Sequence, residues 1–117
     1  MKYFITLIST ILIYTNINAS LSDNNLPKTM VWSSYDIGSS GYTEASALAE
    51  GMMKKYDIRV RLQPSGTSIG RLLLLKRKRV SVSFLGTEAY FASEGIHDFS
   101  SKKWGPQDLR LIIGRPN

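Results

Sequence analysis

The chain predicts an α/β fold: a mostly parallel sheet with helices on both faces. Three observations carry this expectation. Short runs of residues alternate apolar and polar with period two, and longer stretches between them place apolar residues three or four apart. The order is strand, helix, strand, helix, strand, the pattern of crossover connections in a parallel sheet. Finally, each passage from strand to helix runs through Gly, Ser and Thr: Asp36 to Gly41, Ser65 to Ser68, and Gly86 to Glu88.

Taken in order, Thr29 to Tyr35 is rich in β-formers and reads as the first strand. A helix follows, with Tyr42, Ala45, Ala49, Met52 and Tyr56 on one face and Ser39, Ser40 or Gly41 as its cap. Asp57 to Gln63 is the second strand: Ile58, Val60 and Leu62 face one way, Arg59, Arg61 and Gln63 the other. The next helix spans about Ser68 to Arg77 and closes on Lys76-Arg77-Lys78-Arg79. Val80 to Leu85 alternates as a third strand. Gly86-Thr87-Glu88 opens a short helix through Ser93, stopped by Gly95. Ile96 to Gln107 is irregular, and Leu109 to Gly114 reads as a fourth strand.

The stretch Pro64 to Arg71 organises the rest. Gly66 permits close backbone approach, and Thr67 and Ser68 are good caps. A helix start leaves N–H groups unpaired at the positive end of the dipole, which suits a carboxylate or phosphate. The same residues also make an ordinary strand-to-helix turn, and the loop alone favours that reading. It is not a P-loop, because no Gly-Lys-Ser/Thr ending is present. In open parallel sheets, however, ligands bind beyond the carboxyl ends of strands. Three such loops in register describe one polar rim.

Composition narrows the partners. The 117 residues suffice for one domain, and the net charge of +6 favours an anionic partner. With no cysteine and one histidine, disulfides, thiol catalysis and thiolate metal sites are excluded, and no metal or other cofactor is expected. Met1-Lys2, the uncharged run Tyr3 to Tyr14 and Ile17-Asn18-Ala19 fit a signal peptide over residues 1–19, cleaved near Ala19. The run is short for a membrane span. Residues 20–28 read as a flexible leader. The expected location is periplasmic or otherwise extracytoplasmic.

Several short motifs together resemble a known family. They are Trp32 and Tyr35-Asp36-Ile37-Gly38-Ser39-Ser40-Gly41-Tyr42; Lys54-Lys55-Tyr56; Pro64 to Arg71; Leu85-Gly86-Thr87-Glu88; Phe91 to Gly95; and Trp104 to Arg110. Over residues 29–117 the chain resembles the N-terminal part of the TAXI family of solute-binding proteins, the extracytoplasmic receptors of TRAP transporters. The resemblance implies a periplasmic-binding-protein-like fold of type II, with residues 29–117 as part of lobe one. It implies capture of a small organic anion, a dicarboxylate or an amino acid, for a sodium-coupled TRAP transporter membrane subunit. The intact receptor would be a monomer. The ligand loops it implies are Ser39-Ser40-Gly41-Tyr42, Ser65-Gly66-Thr67-Ser68 and Gly86-Thr87-Glu88, with Arg71 as a hinge or ligand brace. Glu88 would oppose an anion, so it binds an ammonium group or caps its helix. Two positions depart from the family: Lys78 and Ser83 stand where glycine is usual. The chain also ends where the family continues into a second lobe, so it reads as a fragment that binds weakly by itself, or as a remnant that does not bind.

Two rivals come from other classes. The run Lys76 to Arg79 suggests a nucleic-acid module, but no aromatic platform or recognised fold accompanies it, and cations also suit a helix C-terminus; no nucleic-acid partner is expected. Gly66-Thr67-Ser68-Ile69-Gly70 satisfies the Gly-x-Ser-x-Gly pattern of serine hydrolases. An acid and then a histidine should follow, yet Asp98 comes after His97, the single histidine. No catalytic residue is expected, and the protein is not expected to be an enzyme.

Overall fold

The structure is a computed structural model and describes residues 25–114. The expected signal peptide, most of the leader and residues 115–117 lie outside the described residues. The elements are β1 (Thr29–Ser34), α1 (Ser40–Tyr56), β2 (Arg59–Pro64), α2 (Ser68–Lys76), β3 (Val82–Ser83) and α3 (Glu88–Glu94), then a 3₁₀ turn at His97–Phe99. The class is α/β, with one three-stranded, all-parallel open sheet in the order β2-β1-β3.

β1 is central because both neighbours hydrogen-bond to it, Thr29 to Ser34 against Arg59 to Pro64 and Trp32-Ser33 against Val82-Ser83. Trp32, Ser33 and Ser34 are buried there. The first crossover leads from β1 to one side. The second returns past β1 to the other side. Right-handed connections then put α1 and α2 on opposite faces. Period-two alternation agrees: Ser33 Oγ donates to the Arg71 carbonyl of α2 at 3.2 Å, and the neighbouring side chains of Trp32 and Ser34 belong to the other face.

Local chemistry explains where the helices start and stop. Ser39 and Thr67 sit in extended backbone, and their hydroxyls accept from Tyr42 N–H and Gly70 N–H, both at 3.1 Å. Asp57 ends α1 in the left-handed region at φ 55°, with its N–H turned back to the last turn. Lys78 does the same after α2 at φ 56°, and Gly95 after α3 at φ 70°. The main core packs Leu72 of α2 against Ala92 of α3, Phe99 and Trp104, with Leu73, Leu75, Leu85, Phe91 and Leu109 around them. Trp104 Nε1 donates to the Ala92 carbonyl at 2.9 Å and so ties the irregular segment to α3.

The structure corrects the expected strand boundaries. The third strand shrinks from Val80–Leu85 to two residues, although Ser81 N–H and Phe84 N–H still reach Val31 and Ser33 carbonyls at 2.9 and 3.0 Å. The fourth strand, Leu109 to Gly114, does not form. Leu109 reaches the core, but Leu111, Ile112 and Ile113 are 86, 72 and 72 % exposed. A strand needs a neighbour to take its backbone groups, and β3, at two residues, is too short an edge to template it.

Candidate functional site

β1 and β3 part at their carboxyl ends, because the chain leaves β1 toward β2 and returns beside β1 on the opposite edge. That is the switch point of an open parallel sheet, where a crevice forms. The loops after β1, β2 and β3 all emerge at this end. Strand direction alone dictates it, since all three strands are parallel.

One buried side chain ties the loops together. Arg71, in the first turns of α2, is 2 % exposed. Its Nη1 donates to the Ser65 carbonyl at 2.8 Å, in the loop after β2. Its Nη2 donates to Glu88 Oε1 at 2.8 Å, at the start of α3. Its guanidinium carbon lies 3.9 Å from the centre of the Tyr35 ring, just past β1. Tyr35 Oη donates to the same Glu88 oxygen at 3.2 Å. Among the described residues, Arg71 Nε is buried without a hydrogen-bond partner. Thus Tyr35, Arg71 and Glu88, one from each loop region, form a single charge-balanced cluster.

The cluster holds its protonation states firmly. Burial works against the Glu88 carboxylate, but hydrogen bonds from the Gly86 and Glu88 amides, from Arg71 and from Tyr35 outweigh it and keep its pKa below the ordinary value. Burial, with the Glu88 charge beside it, pushes the Tyr35 hydroxyl up.

Small residues let the parts close. A Cβ on Gly41 would run into the Tyr35 ring, and one on Gly66 would lie 2.5 Å from Asp36 Oδ2. The ring is therefore flanked by α1 and the guanidinium, while Asp36 brings the first loop against the second. Tyr42 is half-buried in the first turn of α1.

The hydroxyls of the rim divide into two kinds. Ser39 is spent on structure: its Oγ donates to the Asp36 carbonyl at 2.7 Å while accepting from Tyr42. Thr67 accepts from Gly70, and Ser65 Oγ approaches the Thr67 carbonyl at 3.5 Å. Ser40, Ser68 and Thr87, by contrast, carry no side-chain hydrogen bond among the described residues, and Thr87 does not cap α3. Their hydroxyls remain open to a ligand. Ser83, one of the two departures from glycine, shares a hydroxyl–hydroxyl hydrogen bond with Ser33 at 2.8 Å and belongs to the sheet interior.

The sequence reading missed Tyr35 as part of this site and included Asp36 only within the loop Asp36 to Gly41. A polar aromatic and an acid at the carboxyl end of the central strand were the available signal. The hydrolase pattern finds no matching assembly: Ser68 opens α2, His97 packs its ring 4.4 Å from that of Phe91, and no hydrogen bond joins the two. Among the described residues, no group of three or more His, Cys, Asp or Glu is placed to hold a metal ion, and no helix is long and apolar enough to cross a membrane. Two clefts lie away from the rim. One, of about 420 Å3, is formed by Leu26 to Lys28 and Met53 to Asp57. The other, of about 520 Å3, follows the outer side of α2.

No family model, curated protein or solved structure matches the chain, so the reading of this site rests on its geometry and on its sequence motifs.

Proposed function

We propose that the rim is the ligand-binding wall of lobe one in an extracytoplasmic solute receptor with a periplasmic-binding-protein-like fold of type II. The ligand is a small organic anion, a dicarboxylate or an amino acid, handed on to the membrane subunit of a sodium-coupled TRAP transporter. The observation that carries the reading is the convergence of two capped helix starts, α1 and α2, with the open hydroxyls of Ser40, Ser68 and Thr87 at one switch point. Free N–H groups at those starts suit a carboxylate. Arg71 braces the three loops rather than supplying a free cation, because Glu88 already balances it. Asp36 at the same rim, exposed and in no ion pair among the described residues, favours a ligand that also carries an ammonium group, as an amino acid does. Export with cleavage near Ala19 belongs to the same proposal; an extracytoplasmic form beginning near Ser20 by mass spectrometry is the expected result, and a soluble exported form that keeps Met1 refutes it.

Amide chemical shifts test the binding claim. Titration with dicarboxylates and amino acids should move backbone amides near residues 39–42, 65–69 and 86–88. Affinity should be weak, because a single wall leaves the ligand wet on one side. Ser68→Ala should reduce these shifts without changing the melting temperature, since its hydroxyl holds nothing else. Shifts that avoid all three loops for every acid tried would overturn the reading.

A further inference from the structure

A second surface lies apart from the rim and takes no part in its bonded cluster. On α2, Ile69, Leu73, Lys76 and Arg77 recur at helical spacing along one side. Opposite them stands the segment from Asp98 to Trp104, and a groove of about 520 Å3 runs between. Phe99 and Trp104 form its floor, their rings 4.9 Å apart. Ile69 is 40 % exposed beside them.

The groove is edged by cations that the sequence keeps far apart. Lys76 Nζ donates to the Lys103 and Trp104 carbonyls at 2.8 and 2.6 Å and lies 4.9 Å from the centre of the Trp104 ring. That contact holds the end of α2 against the later segment, so that Arg77 and Lys103 both line the groove. Neither Arg77 nor Lys103 forms an ion pair among the described residues, and Asp98 is the one acid lining the groove.

We propose that this groove docks an acidic polypeptide segment that sets apolar side chains against Ile69 and Leu73. Charge complementarity names the partner's sign, and the concave apolar floor favours inserted side chains over a flat anionic bilayer. A second copy of this chain is a poor occupant, because no two of its nine acids are adjacent in sequence. Nucleic acid would need an aromatic stacking platform, whereas both floor rings are buried, at 2 and 8 % exposure.

The test uses the full chain and a fluorescein-labelled helical peptide with Glu and Asp on one face and Leu and Phe on the other. Anisotropy should report saturable binding that weakens with added salt. The double variant Arg77→Glu with Lys103→Glu should weaken it about tenfold, as expected for two reversed rim charges. Ile69→Ser should weaken it roughly fivefold through lost apolar contact. Both change exposed side chains, and unchanged melting curves confirm intact folding. If the double variant melts early, Ile69→Ser and the salt series decide. Absence of saturable binding, or equal binding by the variants, overturns the proposal. So does tighter binding of single-stranded DNA or phosphatidylglycerol vesicles than of the peptide. A peptide carrying Lys in place of its acids should not bind.

Discussion

Arg71 shows how much one side chain can carry. Its side chain is 3 % exposed and that of its partner Glu88 20 %, and it contacts groups from all three loops. Removing one member of a buried pair strands the other charge, at a cost of about 3–5 kcal/mol. Arg71→Met should therefore lower stability in urea by about that much, and Arg71→Met with Glu88→Gln should recover part of the loss. Additive losses in the double variant would contradict the pairing. The same pair sets an acid limit. The folded pKa of Glu88 is depressed, so its contribution is complete above the ordinary value of 4.5 and is lost as pH falls through the lower folded value. Urea midpoints should fall below about pH 4.5 and fall less steeply in Glu88→Gln. Tyr35 acts in the opposite direction. Its raised pKa makes its contribution complete below pH 10.0 and lost as pH rises through the folded value.

At the level of elements, the ends are specified more sharply than the middles. Ser39 and Thr67 start their helices by direct hydrogen bonds to the first free amides. The stop after α2 is less comfortable. Lys78 occupies the left-handed region at φ 56°, where a side chain costs about 1–2 kcal/mol relative to glycine. Glycine also loosens the unfolded chain, which returns roughly 0.4–1 kcal/mol of that gain. Lys78→Gly should thus stabilise the protein by about 0.5–1 kcal/mol in chemical denaturation. A destabilised variant would show that the Lys78 side chain makes a compensating contact.

Across the whole molecule, apolar surface is distributed unevenly. The core between α2, α3 and Trp104 is closed, whereas Leu111, Ile112 and Ile113 stand 86, 72 and 72 % exposed. Such a cluster invites association. Replacing all three with Lys should leave the melting temperature nearly unchanged, because the side chains bury little, while reducing concentration-dependent light scattering. A large loss of stability would show that the segment packs in solution. The open sheet adds to the same tendency, since β2 and β3 are both edges.

The sequence by itself determined the α/β class, the order of the elements from β1 to α3, and the short stretches that hold the caps, because these follow from local periodicity and from side chains that reach only their own backbone. Gly95 and the cap stretches Ser39 to Gly41 and Thr67-Ser68 were readable for that reason, and the fold selects Ser39 and Thr67 within them. The family resemblance put a glycine where Lys78 stands, and the structure gives Lys78 a positive φ. Strand lengths were less legible. Leu109 to Gly114 has a strand's composition, but a strand exists only where a neighbour accepts its hydrogen bonds, and that is a long-range condition. The cluster of Tyr35, Arg71 and Glu88 spans 53 residues of chain between its outer hydrogen-bonded members. No local pattern encodes that distance. Tertiary structure decided it, through β1 lying between β2 and β3, which brings the ends of all three strands to one rim and the Arg71 guanidinium among them.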